Sequence, residues 1–147
     1  MDANEAGDGL VALLVAQEAE AEAVRFPALE EHAIALIALG NDLGDPVVWP
    51  VGAAAERIAG AATLMSGGRI RVREWNSDVR GERVLVFAVV ALTPVSLFAA
   101  AQQALNMGAD AVQGCGIRIE GFDDTGLGPL TSFHAVPAGA LSGVGIS

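Results

Sequence analysis

The feature that most constrains this chain is a continuous apolar run from Val84 to Val90. A strand with one face in water alternates apolar and polar residues, whereas this run predicts a central parallel strand covered on both faces. A short turn and an alanine-rich helix from Leu97 to Met107 follow it. In α/β proteins this order of elements is typical of phosphate sites, because free backbone N–H groups and the helix dipole meet at the turn.

Segments on both sides of this run carry the patterns of further helices and strands. Apolar residues at helical spacing cover residues 10–39, with an interruption at Phe26 and Pro27. Arginine alternates with apolar residues from Arg69 to Arg73, which predicts a strand with one arginine face. The fold class is therefore predicted to be α/β, a doubly wound, mostly parallel sheet with added N-terminal helices. The predicted helices cover residues 27–39, 53–65 and 97–107, and the strands residues 46–49, 69–73, 84–90 and 110–120.

Composition indicates one globular domain over residues 1–147. Hydrophobic residues make up 52% of the chain and the mean hydropathy is +0.47, which favours a large core. Residues 1–9 are predicted to be a frayed acidic leader. The tail, residues 121–147, is rich in Gly, Pro and Ser, and is predicted to form a hairpin or hood or to pack against a partner subunit.

Charge and cysteine content exclude several classes of function. The formal net charge is −10 and every basic residue is arginine, so bulk charge does not favour nucleic acid or anionic membranes. The single cysteine, Cys115, excludes an internal disulfide and a thiolate metal cluster. A reducing, cytoplasmic location is expected. Residues 84–101 approach the length of a membrane span, but Thr93, Pro94 and Ser96 interrupt them, so no membrane span is predicted.

The order of residues around the central run resembles the phosphoribosyl pyrophosphate motif of type I phosphoribosyltransferases. That motif has four apolar residues, two acidic residues, two apolar residues and a hydroxyl-rich loop. Here Val84–Phe87 match the first four positions, Val90–Ala91 match the second apolar pair, and Thr93 and Ser96 match two loop hydroxyls. The resemblance implies the fold of that family from about Leu29 to Ile119.

The most diagnostic residues of the motif are replaced. The acidic pair falls on Ala88 and Val89, the first loop threonine on Leu92 and the loop glycine on Pro94. Residues 74–82 are too few for the long lid of the family. We therefore predict a phosphoribosyltransferase-like protein that is not catalytic and that has either a residual phosphate- or nucleotide-binding turn or a protein-interaction role. We assign neither a catalytic residue nor a metal ligand.

The resemblance nevertheless implies a binding site for a small phosphorylated ligand. A phosphate would contact Thr93, Val95, Ser96 and Leu97, and the equivalent of the pyrophosphate loop would be Val51, Gly52 and Ala53. That loop lacks a cation. The competing interpretation is structural: Thr93 or Ser96 caps the helix and Pro94 fixes its first turn.

Two other functions stay open. An active phosphoribosyltransferase, using Mg²⁺ with phosphoribosyl pyrophosphate, would need acidic groups from elsewhere, such as Asp123 or Asp124. A structural subunit would bury its tail in a homo-oligomer, for example a homodimer.

The remaining polar residues favour structural roles. The arginine face is predicted to be solvated or paired with Glu74, Asp78 or Glu82, and Asp123–Gly126 to be a turn. His32 and His134 lack partners at metal spacing. Cys115 is predicted to be a buried thiol, and Trp49 to lie in the core or an interface rather than to stack on a base.

Overall fold

The computed structural model describes residues 29–74, 77–91, 93–122 and 126–136. They form a five-stranded, all-parallel sheet in the order β2-β1-β3-β4-β5 with three helices, which confirms the predicted α/β fold. The predictions for residues 1–28, for Asp123–Thr125 and for residues 137–147 lie outside the described part. In chain order the elements are α1 (Leu29–Asp42), β1 (Val47–Pro50), α2 (Ala53–Met65), β2 (Arg71–Val72), β3 (Arg83–Ala91), α3 (Val95–Asn106), β4 (Ala111–Ile119) and β5 (Phe133–Ala135).

Strand β3 is the centre of the sheet, as its apolar run predicts. It pairs with β1 on one side and β4 on the other, and each residue from Val84 to Ala91 is buried. Phe87 packs on one face against a cluster that contains residues of α1 and α2, and Val86 packs on the other face with residues of α3. Each large side chain buried in this way contributes about 1.5–3 kcal/mol of transfer free energy.

The helix predictions within the described residues are confirmed, with three differences at the ends. α3 ends at Asn106, one residue before the predicted Met107. α3 starts at Val95 and not at Leu97, because Pro94, with φ −78°, takes the N-cap position and the helix begins directly after it. α1 runs on to Asp42, beyond the predicted end at residue 39. Gly40 lies within this helix, and a Cβ there would lie 2.8 Å from Ile70 Cδ1, so the close approach of Ile70 favours glycine at this position.

The structure corrects one strand prediction and adds a strand that was not predicted. The predicted arginine strand is only two residues long, Arg71–Val72, and its apolar face is incomplete: Ile70 is buried whereas Val72 is exposed. β2 lies at the sheet edge, where no described strand covers its far side. Within the tail, Phe133–Ala135 pairs in parallel with β4 and forms a fifth sheet strand, which the sequence analysis did not predict.

Arginine side chains hold the loop between α1 and β1. Arg83 donates hydrogen bonds of 3.0 Å to the carbonyl oxygens of both Leu43 and Gly44. Arg69 pairs with Asp45 at 3.3 Å, and Arg71 pairs with Glu82 at 3.3 Å. The pairing with Glu82 is as predicted, whereas the role of Asp45 is not visible in the local pattern. These pairs are largely exposed, so each contributes about 0–1 kcal/mol to the free energy of unfolding.

No helix in the described ranges is long and apolar enough to cross a membrane.

The C-terminal end of α3 generates a first prediction. Gly108 follows the helix with φ +99°, and a Cβ there would lie 3.0 Å from Arg80 Cα. We expect Gly108→Ala to lower the free energy of unfolding by about 1–2 kcal/mol in chemical denaturation, because L-residues are strained at this φ. Gly60→Ala is the control: Gly60 is exposed within α2 with no atom near its missing Cβ, so the change should raise stability by about 0.4–1 kcal/mol. Equal changes in the free energy of unfolding for Gly108→Ala and Gly60→Ala would contradict this account.

A second prediction concerns His32, which is 2% exposed and has a buried Nδ1 without a hydrogen-bond partner among the described residues. Burial lowers the pKa of His32, although the nearby Glu31 carboxylate acts to raise it. The unfolded chain therefore binds a proton near the ordinary pKa of about 6.5 while the folded chain does not, so stability is lost as pH falls below about 6.5.

We expect the free energy of unfolding of the native chain to decrease between about pH 7.5 and about pH 5.5. In His32→Gln, which has no titrating imidazole at this position, the decrease should be smaller. Parallel pH dependences for the two proteins would contradict the assignment.

Candidate functional site

The strand order creates a crevice between β1 and β3. From β1 the chain passes through α2 to β2 on one side, and from β3 it passes through α3 to β4 on the other. Neighbouring strands whose connections leave in opposite directions form a topological switch point, where open α/β sheets bind ligands outside the carboxyl ends of the strands. The turns before α2 and α3 both lie at this point, and they contain the residues that the sequence predicts to bind phosphate.

The turn before α3 presents backbone donors. The first intrahelical hydrogen bond runs from the Phe98 N–H to the Pro94 carbonyl at 2.9 Å, so the N–H groups of the three preceding helical residues have no acceptor within the helix. The Val95 N–H donates to Thr93 Oγ1 over a long 3.4 Å. Thr93 and Val95 are exposed, Ser96 is half-buried and Leu97 is buried.

The charge at this helix end differs from that of the other described helices. α1 has Glu30 and Glu31 in its first turn, and α2 has Glu56. The described first turn of α3 contains no acidic residue. The positive end of the α3 dipole is therefore not compensated by a carboxylate of its own helix, and it favours an anion.

The turn before α2 is shaped by glycine. The Val51 N–H donates to the Phe87 carbonyl at 2.7 Å, so this donor is used within the sheet. Gly52 is the N-cap residue of α2, with φ 95° and ψ 160°, and Ala53 is the exposed first residue of the helix. This turn lies beside Phe87, in the middle of β3, and it contains no cation. The Gly52 backbone is its distinctive feature.

The two positions that the sequence resemblance aligns with an acidic pair belong to the apolar core. Ala88 and Val89 are 3% and 2% exposed. Ala88 pairs with Gly116 of β4, and Ile119 fills the space that a Cβ of Gly116 would take. Ala88 and Ile119 belong to the same apolar cluster. No carboxylate is present at these two positions to meet ribose hydroxyls.

Two of the remaining residues have the structural roles predicted for them. Cys115 is fully buried, and burial raises the pKa of its thiol far above the ordinary value, which keeps it protonated. Trp49 is 1% exposed in the core, with an indole N–H that has no hydrogen-bond partner among the described residues. Among those residues no three His, Cys, Asp or Glu side chains converge on a possible metal position.

One polar group was missed by sequence reasoning. Ser132 Oγ lies 2.9 Å from His134 Nε2, and Gln113 Nε2 donates to the same Oγ at 3.1 Å. The Ser-x-His spacing on a strand places both side chains on one face, which is a local signal. Gln113, from another strand, could be found only in the fold.

Comparison with solved structures agrees with this description. A purine phosphoribosyltransferase from Pyrococcus horikoshii is similar with a TM-score of 0.57 at 13% identity, over 75% of this chain and 84% of that chain. A hypothetical protein from Neisseria gonorrhoeae with bound ppGpp is similar with a TM-score of 0.51 at 15% identity, over 75% of this chain and 81% of that chain. No protein-family model and no curated protein matches the sequence. The chain therefore has a phosphoribosyltransferase-like fold.

The turn before α2 generates a third prediction. At φ 95° and ψ 160° Gly52 occupies a backbone region that is essentially restricted to glycine. We expect Gly52→Ala to lower the free energy of unfolding by about 1–3 kcal/mol in chemical denaturation.

The matched control is Gly67→Ala. Gly67 also has a positive φ, 65°, but it lies in open space and in the left-handed helical region, so we expect a loss of about 1 kcal/mol. A Gly52→Ala protein that is no less stable than Gly67→Ala would rule out strain at this turn.

Proposed function

We propose that this chain binds a small phosphorylated nucleotide in the crevice between β1 and β3 and does not transfer a phosphoribosyl group. The observation that carries the proposal is the uncompensated N-terminus of α3 at the topological switch point. There a phosphate would accept hydrogen bonds from the N–H groups of Ser96 and Leu97 and from the hydroxyls of Thr93 and Ser96. The chain is strongly acidic overall, so such a local donor set is needed to hold an anion.

The structural neighbours support the choice of ligand class. One of them is described with bound ppGpp and another as a purine phosphoribosyltransferase. Nucleotides with phosphate groups are thus the compounds to test first on a chain with this fold. The low identities carry over the fold alone, so the ligand itself is part of the proposal.

The proposal excludes phosphoribosyl transfer because the apolar residues Ala88 and Val89 occupy the positions that align with the acidic pair. In phosphoribosyltransferases the acidic pair at these positions faces the ribose hydroxyls and the developing positive charge of the sugar. Apolar side chains supply neither hydrogen bonds nor negative charge there. Losing one preorganised electrostatic contact of this kind typically costs about 2.7–4 kcal/mol of transition-state stabilisation.

The test is a thermal-shift titration with ppGpp, with guanosine 5′-monophosphate, and with phosphoribosyl pyrophosphate plus Mg²⁺. A ligand at about a hundred times its dissociation constant adds about 2.7 kcal/mol, which corresponds to a rise in Tm of about 5–10 °C for a domain of this size. We expect such a shift with at least one compound and no release of pyrophosphate from phosphoribosyl pyrophosphate.

Ser96→Asp is the variant that locates the phosphate. An acidic residue in the first helical turn is compatible with folding, because the positive end of the helix dipole stabilises a negative charge there. Its carboxylate would nevertheless repel a bound phosphate. We expect the ligand-induced shift to disappear in Ser96→Asp and to persist in Gln102→Glu, which adds the same charge at an exposed position further along α3.

Two results would overturn the proposal. One is the absence of a shift with every compound, which would favour the structural-subunit alternative. The other is an unchanged shift in Ser96→Asp, which would place the ligand elsewhere. Pyrophosphate release at a catalytic rate would instead favour an active phosphoribosyltransferase.

A further inference from the structure

The hydrogen-bonded group formed by Gln113, Ser132 and His134 is separate from the α3 turn. Ser132 and His134 flank Phe133 at the start of β5, and Gln113 lies on the neighbouring strand β4. All three side chains are half-buried, so they are within reach of solvent. The group therefore joins a hydroxyl, an imidazole and an amide from two neighbouring segments of the sheet.

The Gln113 amide fixes the direction of one of the two hydrogen bonds, whereas the direction of the other depends on the tautomer of His134. The Gln113 amide nitrogen donates to Ser132 Oγ at 3.1 Å, so an oxygen lone pair is occupied and the hydroxyl proton is free to point elsewhere. His134 Nε2 lies 2.9 Å from Oγ and accepts that proton when the imidazole carries its own hydrogen on Nδ1. A serine hydroxyl that donates to a neutral imidazole is the arrangement of a nucleophile beside its general base.

The residue after Ser132 has a backbone N–H that is not used in pairing with β4. Gly114 N–H donates to the Ser132 carbonyl and Val136 N–H donates to the Gly116 carbonyl. In a parallel ladder this alternation directs the Phe133 N–H away from β4, towards the outer side of β5. The N–H of the residue that follows a nucleophile is a common donor to the oxyanion of acyl transfer.

Cys115 provides an internal comparison. It pairs in register with His134, but it is fully buried and its thiol stays protonated because burial raises its pKa. Of Cys115 and Ser132, only Ser132 is both accessible to solvent and hydrogen-bonded to an imidazole.

We propose that Ser132 is a nucleophile activated by His134, and that it accepts acyl groups from small carboxylic esters. Ser132 Oγ forms a bond to the ester carbonyl carbon while its proton passes to His134 Nε2. The bond to the leaving oxygen breaks, and the alcohol departs with the proton from Nε2. Water then attacks the acyl-serine, gives a proton to Nε2 and releases the carboxylic acid, and the same proton restores the serine hydroxyl. The proposal does not depend on nucleotide binding at α3.

The experiment is labelling of the full chain with a fluorophosphonate, followed by peptide mass spectrometry. The reagent forms an Oγ–P bond and loses fluoride, while the hydroxyl proton passes to His134. We expect labelling of Ser132 in the native chain, none in heat-denatured chain and none at this site in Ser132→Ala. His134→Gln keeps a hydrogen-bond acceptor but cannot take the proton, and it should slow labelling by at least about 100-fold.

Thr131→Val is the matched control. It removes the neighbouring hydroxyl, which donates to the Val112 carbonyl at 3.2 Å and has no imidazole partner in the described ranges, so the rate of labelling should not change. The proposal is overturned if the native chain is not labelled, if labelling occurs only at other residues, or if His134→Gln is labelled as fast as the native chain. The first of these outcomes is measured on the native chain alone, so it does not depend on whether a variant folds.

Discussion

The structure depends on the burial of β3 on both faces. A strand with apolar side chains from Val84 to Ala91 has no face that tolerates water, so it must lie inside a sheet with helices on each side. α2 covers one face and α3 the other. Parallel pairing with β4 follows, because the chain reaches β4 from β3 through a helical crossover, α3. β1 is also parallel to β3.

The same constraint produces the crevice. Once α2 and α3 occupy opposite faces, the turns that lead into them diverge at the carboxyl ends of β1 and β3. The first backbone N–H groups of α3 then face this region, and the turn itself has no basic side chain. A chain with a formal net charge of −10 can in this way keep a small region that favours an anion.

The site also separates what the fold requires from what a reaction would require. β3 and α3 pack through apolar residues in the core. Ala88 and Val89, which the sequence resemblance aligns with an acidic pair, are buried in that core. Apolar packing maintains the backbone of the turn, whereas only a substrate would require the carboxylates.

The sequence by itself determined the central strand, α2 with its exact ends and the order of elements, since these depend on hydrophobic periodicity and on local turn residues. It did not predict that β2 would be only two residues long, that Phe133–Ala135 would extend the sheet, or that Arg83 would hold the carbonyls of Leu43 and Gly44. Edge strands have weak local signals, because half of their environment is solvent and their pairing is set by distant residues. Only the tertiary structure brought Gln113 beside Ser132 and placed the turns before α2 and α3 on either side of one switch point. In each case the two segments are far apart in the chain, so no local pattern predicts that they lie together.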